Sequence, residues 1–408
     1  MYTNNMSHRQ KSTVHGDHHD NPVVEFDRSE HIFTRNESSA DYQTVASNGN
    51  RNLQFQLNDG VVDFAHSYIQ GDYQGNVATA TTFAFNENIQ SIFDLHEIYV
   101  DNKKLVNQDQ YGIWADIVSR LVDSEEEVTR GAFISNKEPT YASRAIASAT
   151  ATAYSFKPLP KSFLDGVIPL YKMGVLKAVW RINSTPAQVT STQSGGSVSP
   201  ISLTNIKLYD EHHSDPSREA QRSGVEWRRH FIDYDHQSET ISSGSGAAQF
   251  NYFGKHASVK GFIVLMRDND TLETVTNNGK YSTSIKESLT KVTVKQGGKF
   301  LVNTQNVTQN DGQALLNLER CAKWFSPDPK MYWYSNSLFN STRYLICIPL
   351  TKHEDGYGVI DGIDTRNAAA PITVDLTLTA STDAKLDIFA VYDNVVSVKN
   401  NVVSVLEA

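Results

Sequence analysis

The stretch Asn52-Leu53-Gln54-Phe55-Gln56-Leu57-Asn58 decides the fold class. Leu53, Phe55 and Leu57 alternate with Gln54, Gln56 and Asn58. Successive side chains of a strand leave on opposite faces, so this spacing predicts a strand with one face in a core and the other in water. The pattern extends outward through Val61, Val62 and Phe64 to Tyr68-Ile69, where Gly71-Asp72 marks a turn. Further strands are predicted at Thr81 to Phe85, Ile92 to Val100, Ala149 to Phe156, Val175 to Ile182 and Ile201 to Tyr209. Asp101-Asn102-Lys103-Lys104 has the composition of a hairpin turn.

One helix interrupts this series. Ile113, Trp114, Ile117, Val118, Leu121 and Val122 recur at helical spacing, with Asn107 or Asp109 as the expected cap and Glu125 to Glu127 as the solvated end. Such an apolar stripe is core packing. The second half repeats the plan, with strands expected at Glu226 to Tyr234, Val259 to Met266, Leu289 to Val294, Tyr344 to Leu350, Ile372 to Leu378 and Leu386 to Tyr392. A second helix places Leu315, Leu318, Ala322 and Phe325 on one face and stops before Pro327 and Pro329. The valines from Val395 to Val405 predict one more edge strand.

A chain of 408 residues exceeds the usual ceiling for one domain. The expected division is an arm over 1–45, a first sandwich over 46–213 and a second over 214–408, with Asp210 to Gly224 as the linker. The polar, His-rich start, including His15, His18 and His19, buries too little apolar surface to offset its ordering entropy and reads as a flexible arm. Phe and Tyr each number 18, and only 20% of residues are charged, a composition suited to strands and polar turns. The net charge of -9 speaks against a body that coats nucleic acid. No apolar run approaches the ~20 residues of a membrane span, and MYTNNMSHRQ lacks the apolar centre of a signal peptide. Cys321 and Cys347 are too few for a disulfide framework, and Cys347 lies in the apolar run Tyr344 to Ile348; a soluble protein made in a reducing compartment is expected.

Catalytic signatures are missing: there is no G-x-S-x-G, P-loop, G-x-G-x-x-G, C-x-x-C or H-E-x-x-H. His96-Glu97 has no second histidine at ligand spacing, and His212-His213 falls in the expected linker as solvated surface. Asp361, Asp364 and Arg366 form the densest polar cluster. Two carboxyls at a set separation suit glycoside hydrolysis, but a turn held by Asp side chains with an Arg ion pair explains the same residues. Gly244-Ser245-Gly246 belongs to a loop rather than a phosphate cradle. The sequons at Asn36, Asn183, Asn269, Asn306 and Asn340 are what an Asn/Thr-rich chain produces by chance. No residue is assigned a catalytic, cofactor-binding or metal role.

Several segments resemble the double jelly-roll major capsid proteins of the tectivirus–adenovirus lineage, above all those of polinton-like viruses and virophages. Asn88 to Phe93 with Ile98-Tyr99-Val100-Asp101-Asn102 and the Tyr111-Gly112 helix is similar to that family's strand, hairpin and helix in the first jelly roll. Leu159-Pro160 to Leu170, Leu176 to Asn183, Tyr344 to Leu350, Gly362 to Arg366 and Asp387 to Asp393 resemble later passages in the same order. The resemblance implies an all-β fold of two consecutive eight-stranded jelly rolls, each with a short inserted helix, behind the arm. It implies homotrimers that tile the icosahedral shell of a DNA virus and no enzymatic activity or cofactor. The implied partners are neighbouring capsomers, minor capsid and vertex (penton) proteins and an internal membrane met by the arm, with no specific nucleic acid. The implied location is the virion, after assembly inside the host cell. Expected tower loops are Thr185 to Pro200, Ser238 to Ala248 and Asp268 to Lys286, and Trp227, Trp324, Tyr332, Trp333 and Tyr334 are candidate interface anchors. The alternative is a two-domain β-sandwich that binds or cleaves glycans.

Overall fold

The computed structural model describes residues 34–406 except 40–43, 58–59, 78–81, 86–88, 124–145, 193–197, 214–225, 245, 269–284, 286–287, 306–310, 332–342, 353–359 and 400–401. The first half holds β1 (Thr34–Ser39), β2 (Thr44–Ala46), β3 (Asn52–Leu57), β4 (Val61–Val77), β5 (Thr82–Phe85), β6 (Phe93–Val100), β7 (Lys103–Asp109) and α1 (Tyr111–Val122). It continues with β8 (Ile146–Ala147), β9 (Thr152–Phe156), β10 (Val167–Pro169), β11 (Leu176–Ile182), β12 (Thr190–Thr192) and β13 (Val198–His213). The second half holds β14 (Trp227–Ile241), β15 (Ala248–Tyr252), β16 (Val259–Asp268), β17 (Ser288–Gln296), β18 (Lys299–Gln305) and α2 (Asp311–Ala322). It ends with β19 (Ile346–Pro349), β20 (Ile372–Thr379), β21 (Ala384–Lys399) and β22 (Val402–Leu406).

Both halves follow one route. In the second, the sheet β14-β21-β16-β19 packs on the sheet β15-β20-β17-β18. From β14 to β21 the chain switches sheets at each step except at the β17–β18 hairpin, after which α2 leads back to β19, and β22 then stays beside β21. In the first, β1-β13-β4-β10 packs on β3-β11-β6-β7, with α1 again following the hairpin. Each sandwich thus has four strands on each main path, the jelly-roll plan. A small third sheet, β12-β5-β8, extends the first half.

The opening alternation behaves as expected: Leu53 and Phe55 are buried, while Gln56 is exposed. Phe55, Phe64, Ile69, Leu176, Ala178, Trp180 and Leu208 line the space between the first half's two sheets. Each Phe, Ile or Leu among them contributes about 1.5–3 kcal/mol by leaving water. Asp101 and Asn102, at φ 45° and 64°, make the two-residue hairpin between β6 and β7. The Asp101 Oδ1 accepts the Val175 N–H at 2.9 Å, and a Cβ on Gly174 (φ +83°) would sit 2.4 Å from that carboxylate. Glycine is therefore required there.

The structure corrects several expectations. Pairing starts before residue 46: β1 and β2 join β13 in antiparallel register, with Glu37 opposite Tyr209 and Val45 opposite Leu203. Backbone groups of β13 recruited a segment whose composition showed no periodicity. Neither Asn107 nor Asp109 caps α1; both belong to β7, and Gln110 precedes the helix in the left-handed conformation at φ 55°. Asp210 to His213 are not linker but the end of β13. Val395 to Val398 extend β21, and β22 folds back on them. Leu315 is 42% exposed rather than in the core, although Leu318, Ala322 and Phe325 are buried. Of the expected towers, Pro186–Val189 forms a helical turn, β14 runs on to Ile241, and most of 268–286 lies outside the described residues. Among the described residues, no helix is long and apolar enough to cross a membrane.

Candidate functional site: the junction between the halves

The two sandwiches meet on the outer face of β14 and β21. Trp114 of α1 sits 4.4 Å from the Tyr234 ring, 5.4 Å from Phe389 and 5.6 Å from Phe325. Phe163 meets Phe231 edge-on at 5.4 Å. Polar groups tie the rim: Tyr234 Oη donates to the Asp109 carbonyl at 2.8 Å, Gln108 Nε2 to Asp233 Oδ1 at 3.0 Å, and the Ile232 N–H to the Lys161 carbonyl at 2.8 Å. The local sequence makes this possible. α1 starts tight against the 3-10 turn Ile89–Ile92 that leads into β6, where a Cβ on Gly112 would meet the Ser91 carbonyl at 2.5 Å, and its residues from Tyr111 to Leu121 are all buried.

Ionisable groups are built into this junction. His236 Nε2 lies 3.0 Å from Asp387 Oδ1, and its Nδ1 lies 3.7 Å from Asp109 Oδ2 across the junction. Burial opposes the charged imidazole, but the bonds to Asp109 and Asp387 outweigh it and hold its pKa above the ordinary histidine value. Asp387 is buried yet stays below the usual carboxylate range, because Arg267 and His236 oppose the cost of burial. Arg267 binds it through Nε and Nη2, both at 2.5 Å. Burial pushes the Asp233 carboxyl up to about 6, against the pull of Gln108 and the Tyr234 N–H. A second buried knot joins Asp393 to His230 Nε2 at 2.8 Å, Lys260 Nζ at 3.2 Å and Ser258 Oγ at 2.5 Å.

The residues weighed for chemistry are not assembled into one site. Asp361 is buried, 3.6 Å from Lys260, whereas Asp364 is half-exposed and binds Arg366 through both oxygens, at 2.7 and 3.1 Å. Asp364 Oδ1 also accepts the Arg366 N–H at 3.0 Å, which makes the segment a turn held by an Asp side chain rather than half of a carboxylate pair. His96 is buried, stacks on Trp180 at 4.4 Å and bonds the Val179 carbonyl through Nδ1; burial lowers its pKa to about 4. His212 and His213 pair through their backbones with Val62 and Val61 of β4. Cys321 and Cys347 are both buried free thiols. Asn183 is buried, its Oδ1 accepting the Thr185 N–H. Among the described residues, no group of three His, Cys, Asp or Glu is placed to hold a metal, and His15 to His19 lie outside them. Trp324 is core, Trp227 is partly buried, and Tyr332, Trp333 and Tyr334 lie outside the described residues. Trp114 was legible in the sequence only as core, because helical spacing does not say which half a buried face belongs to.

No family model matches the sequence, and no curated protein matches it. Solved structures match it over nearly its whole length. The chain is similar to the capsid of the virus PBCV-1 at a TM-score of 0.61 and 11% identity, covering 93% of this chain and 97% of that one. It is similar to a chain of the Sputnik virophage at 0.58 and 13% identity, over 97% of this chain and 92% of that one. The Faustovirus major capsid protein matches at 0.57 and 9% identity, over 90% and 91% of the two chains. At such identities the likeness speaks for architecture: this chain has the double jelly-roll fold of those viral capsid chains.

Proposed function

We propose that this chain is the major capsid protein of an icosahedral DNA virus, and that three copies form a pseudo-hexagonal capsomer in its shell. One observation carries this reading: the likeness to capsid chains runs through both sandwiches in order, over 93% of this chain and 97% of the PBCV-1 chain. The tight junction supports it, since two sandwiches locked by Trp114, Tyr234 and Phe389 behave as a single rigid tile. The work is structural, not catalytic. The division we favour falls after His213, where β13 ends, and the pairing of Thr34–Ser39 with β13 supports a first jelly roll that includes that strand and an arm, meeting neighbours or an internal membrane, made of the residues before it. Neighbouring capsomers and minor and vertex proteins are the expected partners, in the virion. The glycan alternative gains nothing from Asp361 and Asp364, each of which pairs with its own cation.

Negative-stain imaging of the purified chain, with light scattering for mass, tests the proposal. Three-copy particles of pseudo-hexagonal outline are expected. A persistent monomer that binds or cleaves a glycan overturns it.

A further inference from the structure

β16 is buried from Val259 to Arg267 and carries a lysine at its second position. The Lys260 side chain is 1% exposed, a rare condition for a lysine unless it is paired. A β-bulge places it there. Val259 faces Tyr392 and Gly261 faces Val391 on β21, so Lys260 has no residue opposite and leaves the regular alternation. Gly261, at φ +154°, completes the bulge, since a Cβ on it would sit 2.2 Å from the Ile348 carbonyl.

Two buried carboxylates meet this amine. Nζ lies 3.2 Å from Asp393 Oδ1 and 3.6 Å from Asp361 Oδ1. Asp393 is held through both oxygens, with Ser258 Oγ donating to Oδ2 at 2.5 Å and His230 Nε2 at 2.8 Å from Oδ1. Asp361 belongs to a distant stretch of chain clamped onto the start of β16. Ile363 and Val259 exchange backbone hydrogen bonds at 2.9 Å, and the Gly362 N–H donates to the same Ser258 Oγ at 2.9 Å. A Cβ on Gly362 would meet the Val259 carbonyl at 2.5 Å, so the stretch lies flush on the strand. An amine and a carboxyl are thus fixed side by side away from water, with a second carboxylate touching the amine.

We infer that Lys260 and Asp361 condense into an intramolecular amide, an isopeptide cross-link, with Asp393 carrying the proton. Nζ gives a proton to Asp393 and attacks Asp361 Cγ. The Nζ–Cγ bond forms and a Cγ–O bond breaks. The departing oxygen leaves as water with two of the ammonium protons, one of them passed through Asp393. The last ammonium proton stays on the amide nitrogen, Asp393 ends as the carboxylate it began as, and no oxidant is consumed. Fixing the two groups as neighbours supplies the effective concentration that such a condensation needs. Burial favours the product, because one neutral amide replaces two charges held out of water. The bond ties β16 to the segment that precedes β20, and it forms within one copy, independently of any assembly.

Mass spectrometry of the full chain, with folding checked by circular dichroism, tests it. The unaltered chain should weigh one water less than its sequence. Trypsin does not cut after an acylated lysine, so digestion should release a branched peptide joining residues 256–267 to 353–366. Lys260→Arg keeps a cation but cannot condense, and should show the full sequence mass. Asp393→Asn should slow the linkage by about a hundredfold over a time course of fresh expression. A folded, unaltered chain at full sequence mass overturns the cross-link. So does a water loss confined to one unbranched peptide, as a succinimide at Asp361-Gly362 would give, or a branch that ends on Asp393 instead. An Asp393→Asn chain that links as fast as the unaltered one overturns the proton route.

Discussion

The two sheets that carry β13 and β21 hold the same place in their sandwiches and differ on their outer faces. In the second half that face is buried: Ile263, Leu265, Phe389 and Val391 are all at 0% exposure beneath the first half and α2. In the first half it carries exposed Gln70 and Gln74 beside the partly buried Lys207 and Tyr209. The difference lies in the number of covered faces. A sheet covered on both faces buries every position, as β16 does at nine consecutive positions from Val259, and its two buried cations, Lys260 and Arg267, are each paired with a buried aspartate. A sheet open on one side alternates, as β3 and β4 do. One plan of strands therefore makes both a rigid junction and a face with positions exposed to solvent.

The sharpest way to break this comparison is to place the same charge on each face. Val391→Lys buries an ammonium with no partner at the junction, and the chain should fail to fold or lose several kcal/mol in urea denaturation. Gln70→Lys on the open face should shift stability by no more than about 0.5 kcal/mol. Similar losses at the two positions would show that the junction is not dry. Trp114→Ala comes next: removing the ring that joins α1 to Tyr234 and Phe389 should cost about 3–5 kcal/mol. A cost below about 1 kcal/mol, read from calorimetric melting and denaturant titration, would mean that the halves hold together by other contacts.

The histidines sharpen the contrast through pH. His96, inside the first sandwich, has its folded pKa depressed to about 4 from 6.5. Its contribution is present above pH 6.5 and disappears as pH falls toward 4, a loss of about 3 kcal/mol. His96→Phe keeps a ring against Trp180 but takes up no proton, so its stability should fall less over that window. His236 at the junction behaves in the opposite sense, because its folded pKa is raised. Its contribution is complete below pH 6.5 and is lost as pH rises through the folded value, so His236→Gln should remove a decline on the neutral-to-alkaline side. Parallel pH profiles for the unaltered chain and both variants would rule out these assignments. The smallest effect is expected at the turn: Asp364→Asn breaks an exposed pair with Arg366 and should leave the melting temperature unchanged within error.

Much of this architecture was legible in the order of residues. Leu53, Phe55, Trp180 and Leu208 announced their faces by period, and both helices appeared where their stripes put them. Three things were not legible. Thr34–Ser39 and Thr44–Ala46 show no apolar period, yet both pair with β13, whose backbone donors and acceptors need partners along its length. Leu315 fits a core stripe by spacing but lies outside it, since a helix face is defined by what packs on it. Asp361 and Asp364 look like a pair in the chain, while their cations, Lys260 and Arg366, hold them to different tasks.

The sequence by itself determined the strands, the two sandwiches, the two helices and the lack of a catalytic motif, because period and composition report how each residue meets water. Only the tertiary structure decided that α1 lies between the halves, that His236 reaches two carboxylates from different sandwiches, and that one outer sheet face is fully covered while its counterpart keeps exposed positions at Gln70 and Gln74. Burial on a second face comes from contacts more than a hundred residues apart, such as Gln108 to Asp233, and no local pattern carries that information.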